Sequence, residues 1–225
     1  MSDLIEYENC DALFLGLAQA VQTQLAAVLQ SKGRATLAVP GGTTPAPFFQ
    51  HLRSTQIDWG NVTVMLTDER FVPETSDRSN SQLLRETLFK DFAANANFVP
   101  MYAPGDRPED VLNELQSGIT AALPLDVCVL GMGADMHTAS IFPEADLLAE
   151  ALADDAPVLL PMRAPNAPEP RMTLTAPVLR AAAHIHLLIA GQCKKDALNV
   201  AQQNCSPLDA PVRIILPNAN IHYAD

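Results

Sequence analysis

Short apolar runs alternate with amphipathic segments along most of the chain, and this alternation is the feature that most constrains the fold. Compact apolar runs predict strands, whereas apolar residues three and four positions apart predict helices. The predicted strands are residues 35–39, 62–67, 127–130, 184–190 and 212–216. The predicted helices are residues 11–30, 44–52, 81–89, 110–122, 175–182 and 192–203. Strands that alternate with helices favour an α/β fold, in which helices cover both faces of a mainly parallel sheet.

Two stretches lie outside this alternation. Residues 68–80 are predicted to form a polar loop, and the proline-rich residues 157–170 predict a long loop or irregular excursion rather than a linker. The chain has 225 residues, 48% of them hydrophobic, which is enough to bury a sizeable core. We therefore expect a single domain over residues 1–225.

The charge balance limits the partners of the chain. A net charge of −12 repels nucleic acid and anionic lipid, so we expect neither as a partner. An anionic ligand would need a pocket that gathers several of the 14 lysines and arginines. The segment from Met1 to Tyr7 lacks the features of a secretory signal, and no uninterrupted apolar stretch is long enough to cross a bilayer. These features predict a cytoplasmic protein.

The four cysteines are scattered and form no C-x-x-C pair. They are Cys10, Cys128, Cys193 and Cys205. This spacing predicts reduced thiols rather than a disulfide framework or a zinc site.

A glycine turn follows the first predicted strand, at Pro40-Gly41-Gly42-Thr43-Thr44-Pro45. Free backbone amides, two hydroxyl groups and the positive end of the next helix suit a phosphate group. The alternative is an ordinary strand-to-helix turn, with a threonine cap and a proline at the first helical position.

Charged residues follow the second predicted strand, at Thr67-Asp68-Glu69-Arg70, with Ser79 and Asn80 farther on. Arg70 can bind a phosphate or carboxylate through two parallel hydrogen bonds. Asp68 and Glu69 are adjacent and point to opposite sides of an extended chain, so they do not predict a paired acid and base. One of them can anchor Arg70, and a solvated charged loop is the alternative interpretation.

The third loop carries the candidate catalytic residue. It contains Gly131, Gly133, Asp135 and His137 directly after a predicted buried strand. An imidazole accepts a proton from water near neutral pH, and Asp135 can orient the ring or hold its own loop. Ser140 lies too close to His137 in sequence for a serine triad, and no G-x-S-x-G motif is present.

Two further cations lie near predicted strand ends. They are Arg171, in Arg-Met-Thr-Leu-Thr, and Lys194, at the start of a predicted helix where the dipole disfavours a cation unless an anion is near. His184 and His186 alternate on one strand and are interpreted as structural. No spacing resembles a metal site, so we expect neither metal nor cofactor.

Taken together, these segments resemble the glucosamine-6-phosphate isomerase/6-phosphogluconolactonase family, and specifically its lactonases. The motifs that carry the resemblance are Gly41-Gly42-Thr43-Thr44-Pro45, Asp68-Glu69-Arg70-x-Val72-Pro73 with Ser79-Asn80, Gly131-x-Gly133-x-Asp135-x-His137-Thr-Ala-Ser-Ile-Phe-Pro143, and Arg171-x-Thr-Leu-Thr with Gly191-x-x-Lys194. They run in order over nearly the whole chain, and they are specific as a set. The resemblance implies a Rossmann-like three-layer α/β/α fold and metal-independent hydrolysis of 6-phospho-D-glucono-1,5-lactone in the oxidative pentose phosphate pathway.

The resemblance also implies roles for individual residues. His137 would be the general base, whereas Arg70, Arg171, Lys194 and the turn of Gly42 to Thr44 would hold the substrate. The predicted substrate-binding set is Gly41, Gly42, Thr43, Thr44, Asp68, Arg70, Ser79, Asn80, Gly133, Arg171 and Lys194, with His137 and Asp135 as the catalytic pair.

The chain departs from the family pattern at two glycines, where it has Met136 and Glu144. If the glycine position has a positive φ, Met136 costs about 1 kcal/mol of backbone strain, or the loop shifts.

Two alternatives to the lactonase remain open at this point. One is a non-catalytic sugar-phosphate-binding module, although the chain shows no DNA-binding helix pair. The other is a glucosamine-6-phosphate deaminase, whose histidine loop continues toward Asn-Glu-Pro to supply an acid. The chain has Ile141-Phe142-Pro143 at that place, and phenylalanine cannot donate a proton.

Overall fold

The computed structural model describes residues 4–165, 167–203 and 205–225. The first three residues of the N-terminal segment and Asn166, within the proline-rich stretch, lie outside this description. The strands are β1 (Leu4–Glu6), β2 (Ala35–Val39), β3 (Val62–Leu66), β4 (Asp68–Arg70), β5 (Asn97–Val99), β6 (Val127–Gly131), β7 (Leu159–Met162), β8 (Arg171–Leu174), β9 (His184–Ala190) and β10 (Ala219–Ala224). The α-helices are α1 (Cys10–Lys32), α2 (Ala46–Arg53), α3 (Asn80–Thr87), α4 (Pro108–Ala122), α5 (Leu148–Leu152), α6 (Ala176–Arg180) and α7 (Gln192–Gln202).

Seven strands form one parallel sheet in the order β1-β10-β9-β6-β2-β3-β5. From β2 the chain adds β3 and β5 toward one edge of the sheet. From β6 it adds β9 and β10 toward the other edge. The direction of winding therefore reverses between β2 and β6, and a crevice for ligands opens at such a point beyond the carboxyl ends of the strands.

Helices cover both faces of this sheet. The helices α1, α2 and α3 contact one another in series on one face. After β5 the chain adds its strands in the opposite direction along the sheet. Because such crossovers are right-handed, α4 and α7 belong to the other face. The result is a three-layer α/β/α fold, as the sequence predicted.

The longest helix, α1, is a core helix. The Asn9 side chain accepts a hydrogen bond from the Ala12 amide, and Gly33 at φ 72° ends the helix in the left-handed conformation. Its length and mean hydropathy of 1.5 would allow it to cross a membrane, although glutamines interrupt its apolar residues. Seven of its side chains, from Leu13 to Val28, are buried, which is the pattern of a helix that packs on a sheet.

All six predicted helices and four of the five predicted strands are confirmed. The prediction of a strand at residues 212–216 is wrong, because Pro211–Ile214 and Leu216–Asn218 form two 3₁₀ helices. Each has a proline in its first turn, and proline has the φ that a helix start requires. The last strand is β10 instead.

The two predicted loops are also partly wrong. Residues 68–70 form β4 and residues 159–162 form β7, and both pair with β8 in a small antiparallel sheet. Pro161 lies in β7, which is an edge strand of that sheet, and an edge strand tolerates a residue that has no amide donor.

Candidate active site

A cavity of about 360 Å³ opens beyond the carboxyl ends of β2, β3, β6 and β9. Most of the residues predicted to bind substrate line it, together with His137. These are Gly41, Gly42, Thr43, Thr44, Asp68, Arg70, Asn80, Gly133, Arg171 and Lys194. Two predicted site residues are not among the lining residues: Asp135 lies behind His137, and Ser79 caps α3. The strand order thus brings four sequence-distant loops to one place.

Two tight turns shape the loop that carries His137. The Met136 amide donates to the Gly133 carbonyl, and the Gly133 amide donates to the His137 carbonyl. Met136 has φ 64° and Glu144 has φ 61°, so both departures from the family pattern occupy left-handed positions that favour glycine. The backbone keeps the glycine-type conformation at both positions, and the strain therefore remains in the loop.

The imidazole of His137 contacts Asp135 directly. Nδ1 lies 2.5 Å from the carboxylate oxygen Oδ1 of Asp135, and the His137 side chain is 28% exposed. Burial tends to raise the pKa of Asp135, but the hydrogen bonds and charge of His137 outweigh burial and keep this pKa below its ordinary value. Because an ionised carboxylate only accepts hydrogen bonds, Nδ1 carries the proton and Nε2 of the neutral ring can act as an acceptor.

Gly133 makes this contact possible. A Cβ atom at position 133 would lie 2.3 Å from Asp135 Oδ1 and from Nδ1 and Cε1 of His137. Any side chain at position 133 would therefore displace the pair, and the glycine is required for close approach.

Phe142 lies close to both the imidazole of His137 and the buried Arg171. Its ring centroid lies 4.3 Å from that of His137, and the Arg171 guanidinium carbon lies 5.9 Å from the same ring. A cation over an aromatic face is stabilised by the ring quadrupole, so the Phe142 ring stabilises the Arg171 guanidinium at the cavity wall.

Arg171 is a buried cation with few partners. Only 9% of its side chain is exposed, and among the described residues its buried Nε has no hydrogen-bond partner and its ion-pairing carboxylate, of Glu169, is 3.9 Å away. Burial lowers the pKa of Arg171, and the neighbouring Asp68 partly counteracts this. A buried guanidinium with spare donors is suited to bind an anion.

Arg70 and Lys194 complete the positive side of the cavity. Arg70 Nη1 donates to the Arg78 carbonyl at 2.6 Å, which holds its guanidinium at the rim. The carboxylate of Glu69 accepts from the main-chain amide of Arg70, so one of the two adjacent carboxylates holds Arg70 through its backbone. Lys194 lies in the first turn of α7, where burial lowers the pKa of its amine. An anion in the cavity would stabilise a cation in this position.

The glycine turn packs against Asn80. A Cβ atom on Gly41 would lie 2.0 Å from the Asn80 carboxamide carbon, so only glycine permits this approach. No side-chain hydrogen bond caps α2 within the described residues, so the threonine cap of the alternative interpretation does not form. The hydroxyl groups of Thr43 and Thr44 thus remain available at the cavity wall.

Sequence reasoning missed several supporting residues. Glu69 is fully buried and accepts hydrogen bonds from the amides of Asn80 and Ser81, which fixes the start of α3. Burial raises the pKa of Glu69, although these amide donors favour its charged form. The Ser140 hydroxyl donates to Asp68 at 2.5 Å, and this bond ties the histidine loop to β4. The only sequence signal for Glu69 was its position next to Asp68, because adjacent side chains on an extended chain point to opposite sides.

The segment between α7 and β10 also contributes to holding the histidine loop, through the misassigned residues 212–216. The Val212 amide donates to the Met136 carbonyl at 3.0 Å. The 3₁₀ helix that replaces the predicted strand therefore supports the strained residue next to His137.

A parallel α/β fold with a cationic, glycine-lined cavity at its strand ends is typical of proteins that bind phosphorylated small molecules. The family model described as glucosamine-6-phosphate isomerases/6-phosphogluconolactonase matches residues 8–223. The chain belongs to this family.

The chain also matches individual relatives over most of their length. The chain is 45% identical to a 6-phosphogluconolactonase of Rhizobium meliloti, over 95% of this chain and 93% of the relative. It is 36% identical to one of Neisseria meningitidis, over 98% of each chain. The crystal structure of a 6-phosphogluconolactonase from Shewanella baltica superposes with a TM-score of 0.97 at 30% identity, covering 100% of this chain and 98% of the other.

Proposed function

We propose that this protein hydrolyses 6-phospho-D-glucono-1,5-lactone to 6-phospho-D-gluconate, the lactone-opening step of the oxidative pentose phosphate pathway, in the cytoplasm. His137 acts as general base, and Asp135 holds its ring. The single observation that carries the proposal is that His137 and three cations, Arg70, Arg171 and Lys194, line one cavity. An acidic chain gathers positive charge in this way where it binds an anion.

The reaction needs no covalent intermediate, because a lactone is an activated ester. His137 Nε2 removes a proton from a water molecule while the water oxygen attacks C1 of the lactone. The bond between C1 and the ring oxygen then breaks, and the protonated imidazole returns its proton to that oxygen. The new carboxylic acid releases a proton to solvent, so one proton appears for each lactone opened.

The cations bind the phosphate at the far end of the substrate from C1. Arg171 is the principal phosphate ligand in this proposal, because it is buried and has unused donors. Fixing the phosphate places C1 near the water that His137 activates, and such orientation contributes several kcal/mol to catalysis, up to about 7–11 in well-oriented systems. The glycine turn of Gly41 to Thr44, with Asp68 and Asn80, binds the sugar hydroxyl groups.

The direct test is proton release after addition of 6-phosphogluconolactone, followed in weakly buffered solution. The protein should accelerate release above the spontaneous rate, and His137→Gln should reduce kcat by about 10²- to 10⁴-fold, the range for loss of a general base. The variant should still be protected against thermal unfolding by 6-phosphogluconate. That protection would show that the cavity remains intact.

The same experiment separates the competing functions. A binding module would be protected by 6-phosphogluconate and give no excess proton release. A deaminase would release ammonia from glucosamine 6-phosphate. Either result would refute the lactonase, whereas equal rates with phosphorylated and unphosphorylated gluconolactone would refute only the phosphate-binding role of the cations.

A further inference from the structure

An ion pair at the rim of the cavity joins two loops beside the buried arginine. Arg78, in the loop between β4 and α3, donates through Nη2 to Glu169 Oε2 at 2.9 Å, and its Nε contacts Oε1. Glu169 lies two residues before β8. Both oxygens of the carboxylate are therefore engaged by one guanidinium, in the two-pronged geometry that arginine favours.

The same carboxylate lies within reach of Arg171. Oε2 of Glu169, which accepts from Arg78, is 3.9 Å from Arg171 Nη2. Arg171 is much more buried than Arg78, with 9% against 48% of the side chain exposed. A charge interaction is less screened in the buried position, so an unrestrained Glu169 would favour Arg171.

We propose that Arg78 is a positioning residue that withholds Glu169 from Arg171 and so keeps Arg171 free for the substrate's phosphate. Without Arg78, the Glu169 carboxylate would rotate onto Arg171 and compete with the phosphate as an internal anion. This inference rests on the proposed function, because it assumes that Arg171 binds the phosphate. The ion pair of Arg78 and Glu169 would then affect substrate affinity but not the chemical step.

The surrounding charges are consistent with this arrangement. Arg171 is also near Asp68, Arg70 and Arg78, and each of these charges influences its pKa. Asp68 is fixed by the hydroxyl of Ser140, and Arg70 by the carbonyl of Arg78. Glu169 is thus the carboxylate beside Arg171 whose restraint comes from a side chain at the exposed rim.

The test is a double-mutant cycle on Arg78 and Glu169, measured as KM and kcat for 6-phosphogluconolactone. Arg78→Gln should raise KM by about 3- to 30-fold, within the range that coupling between contacting residues spans, with kcat little changed. Glu169→Gln alone should leave KM unchanged or lower. The double variant should recover a KM close to that of the wild type, because the competing carboxylate is absent. Inhibition by 6-phosphogluconate should follow the same order.

A merely structural bridge would behave differently. If the pair only ties the loops together, Glu169→Gln would raise KM as much as Arg78→Gln, and the double variant would show no recovery. That pattern, or an unchanged KM in Arg78→Gln, would overturn the inference. Arg85→Gln, which breaks a similarly exposed pair with Glu74 outside the cavity, is the matched control.

Two further measurements keep the outcomes distinct. If Arg78→Gln fails to fold, Arg78→Lys is measured in its place. It retains the charge and should preserve most of the affinity. Arg171→Lys should raise KM for the phosphorylated lactone only. If Arg171→Lys has no effect, the proposed phosphate site itself is wrong. If it has the expected effect and the cycle shows no recovery, only the inference about Arg78 fails.

Discussion

Asp135 Oδ1 lies 2.5 Å from His137 Nδ1, and this contact places the proton of the neutral imidazole on the nitrogen that faces the carboxylate. The other nitrogen, Nε2, is then the proton acceptor in the proposed mechanism. The carboxylate also stabilises the imidazolium that forms when the water is deprotonated. Asp135 therefore both orients the His137 ring and stabilises the ring after it has accepted a proton.

Asp135→Asn should lower kcat by about 10²- to 10⁴-fold with little change in KM, because the neutral amide cannot stabilise the imidazolium. The measurement is steady-state proton release with 6-phosphogluconolactone, with thermal unfolding as a check on the fold. If kcat were retained, Asp135 would only hold its own loop.

Gly133→Ala tests the space beneath the pair. The added Cβ would lie 2.3 Å from His137 Nδ1, so the ring must move, and we expect kcat to fall at least about 10²-fold, as a 1 Å misplacement can cause. Gly118→Ala, in α4, is the control, since its Cβ would make an ordinary contact of 3.7 Å with the Val99 side chain in β5. Full activity in Gly133→Ala would show that His137 does not need its present position.

Much of this site could be predicted from the sequence, because its loops directly follow apolar strands. Glycines and charged residues after β2, β3, β6 and β9 predicted the loops that line the cavity. Their meeting point depends on strand order, which places β6 beside β2 and β9. That order arises from long-range pairing, and local periodicity does not contain it.

The elements that sequence analysis missed depend on distant partners. Residues 219–224 contain the polar His222, which is buried only because His186 and Tyr7 satisfy its ring nitrogens. Glu69 is likewise buried because the amides of α3, 11 and 12 positions away, hydrogen-bond to it. The short segment 212–216, which is apolar except for Arg213, could not be assigned to strand or helix by periodicity. The extent of the single domain, residues 1–225, stays a prediction.

Glu144→Gly should stabilise the protein. Glu144 is exposed at φ 61°, and relief of left-handed strain, worth about 1–2 kcal/mol, exceeds the roughly 0.5–1 kcal/mol that glycine adds to the unfolded-state entropy. We expect the free energy of unfolding to rise by about 0.5–1 kcal/mol in a denaturant titration. Glu150→Gly, in α5, should instead lower it by about 1 kcal/mol. A loss of stability in Glu144→Gly would show that the side chain makes a compensating contact.

The buried histidine network should make the fold sensitive to acid. His186 Nε2 donates to Gln24 Oε1 at 2.7 Å, His222 Nε2 donates to His186 Nδ1 at 2.9 Å, and the Tyr7 hydroxyl donates to His222 Nδ1 at 2.8 Å. This chain of bonds requires both rings to be neutral. Burial lowers the pKa of His186 to about 3 and that of His222 to about 4.

The sign of the pH effect follows from these depressed values. Above about pH 6.5, the ordinary histidine pKa, neither the folded nor the unfolded chain binds a proton at these rings, and their contribution to stability is complete. Below that pH the unfolded chain takes up protons that the folded chain excludes. Stability should therefore fall from about pH 6.5 downward, by roughly 2 kcal/mol for each histidine at pH 5. The measurement is the free energy of unfolding in denaturant at pH 7, 6 and 5.

Substitution at one network residue separates this effect from that of the carboxylates. His222→Gln should lower the free energy of unfolding at pH 7, because the buried network loses well-placed hydrogen bonds. The decline of that free energy between pH 7 and pH 5 should become shallower by roughly 2 kcal/mol. His184→Gln, on the exposed end of β9, should leave the slope unchanged. If both variants kept the wild-type slope, the acid sensitivity would belong to other groups, and the two buried rings would have to accept protons in the folded state.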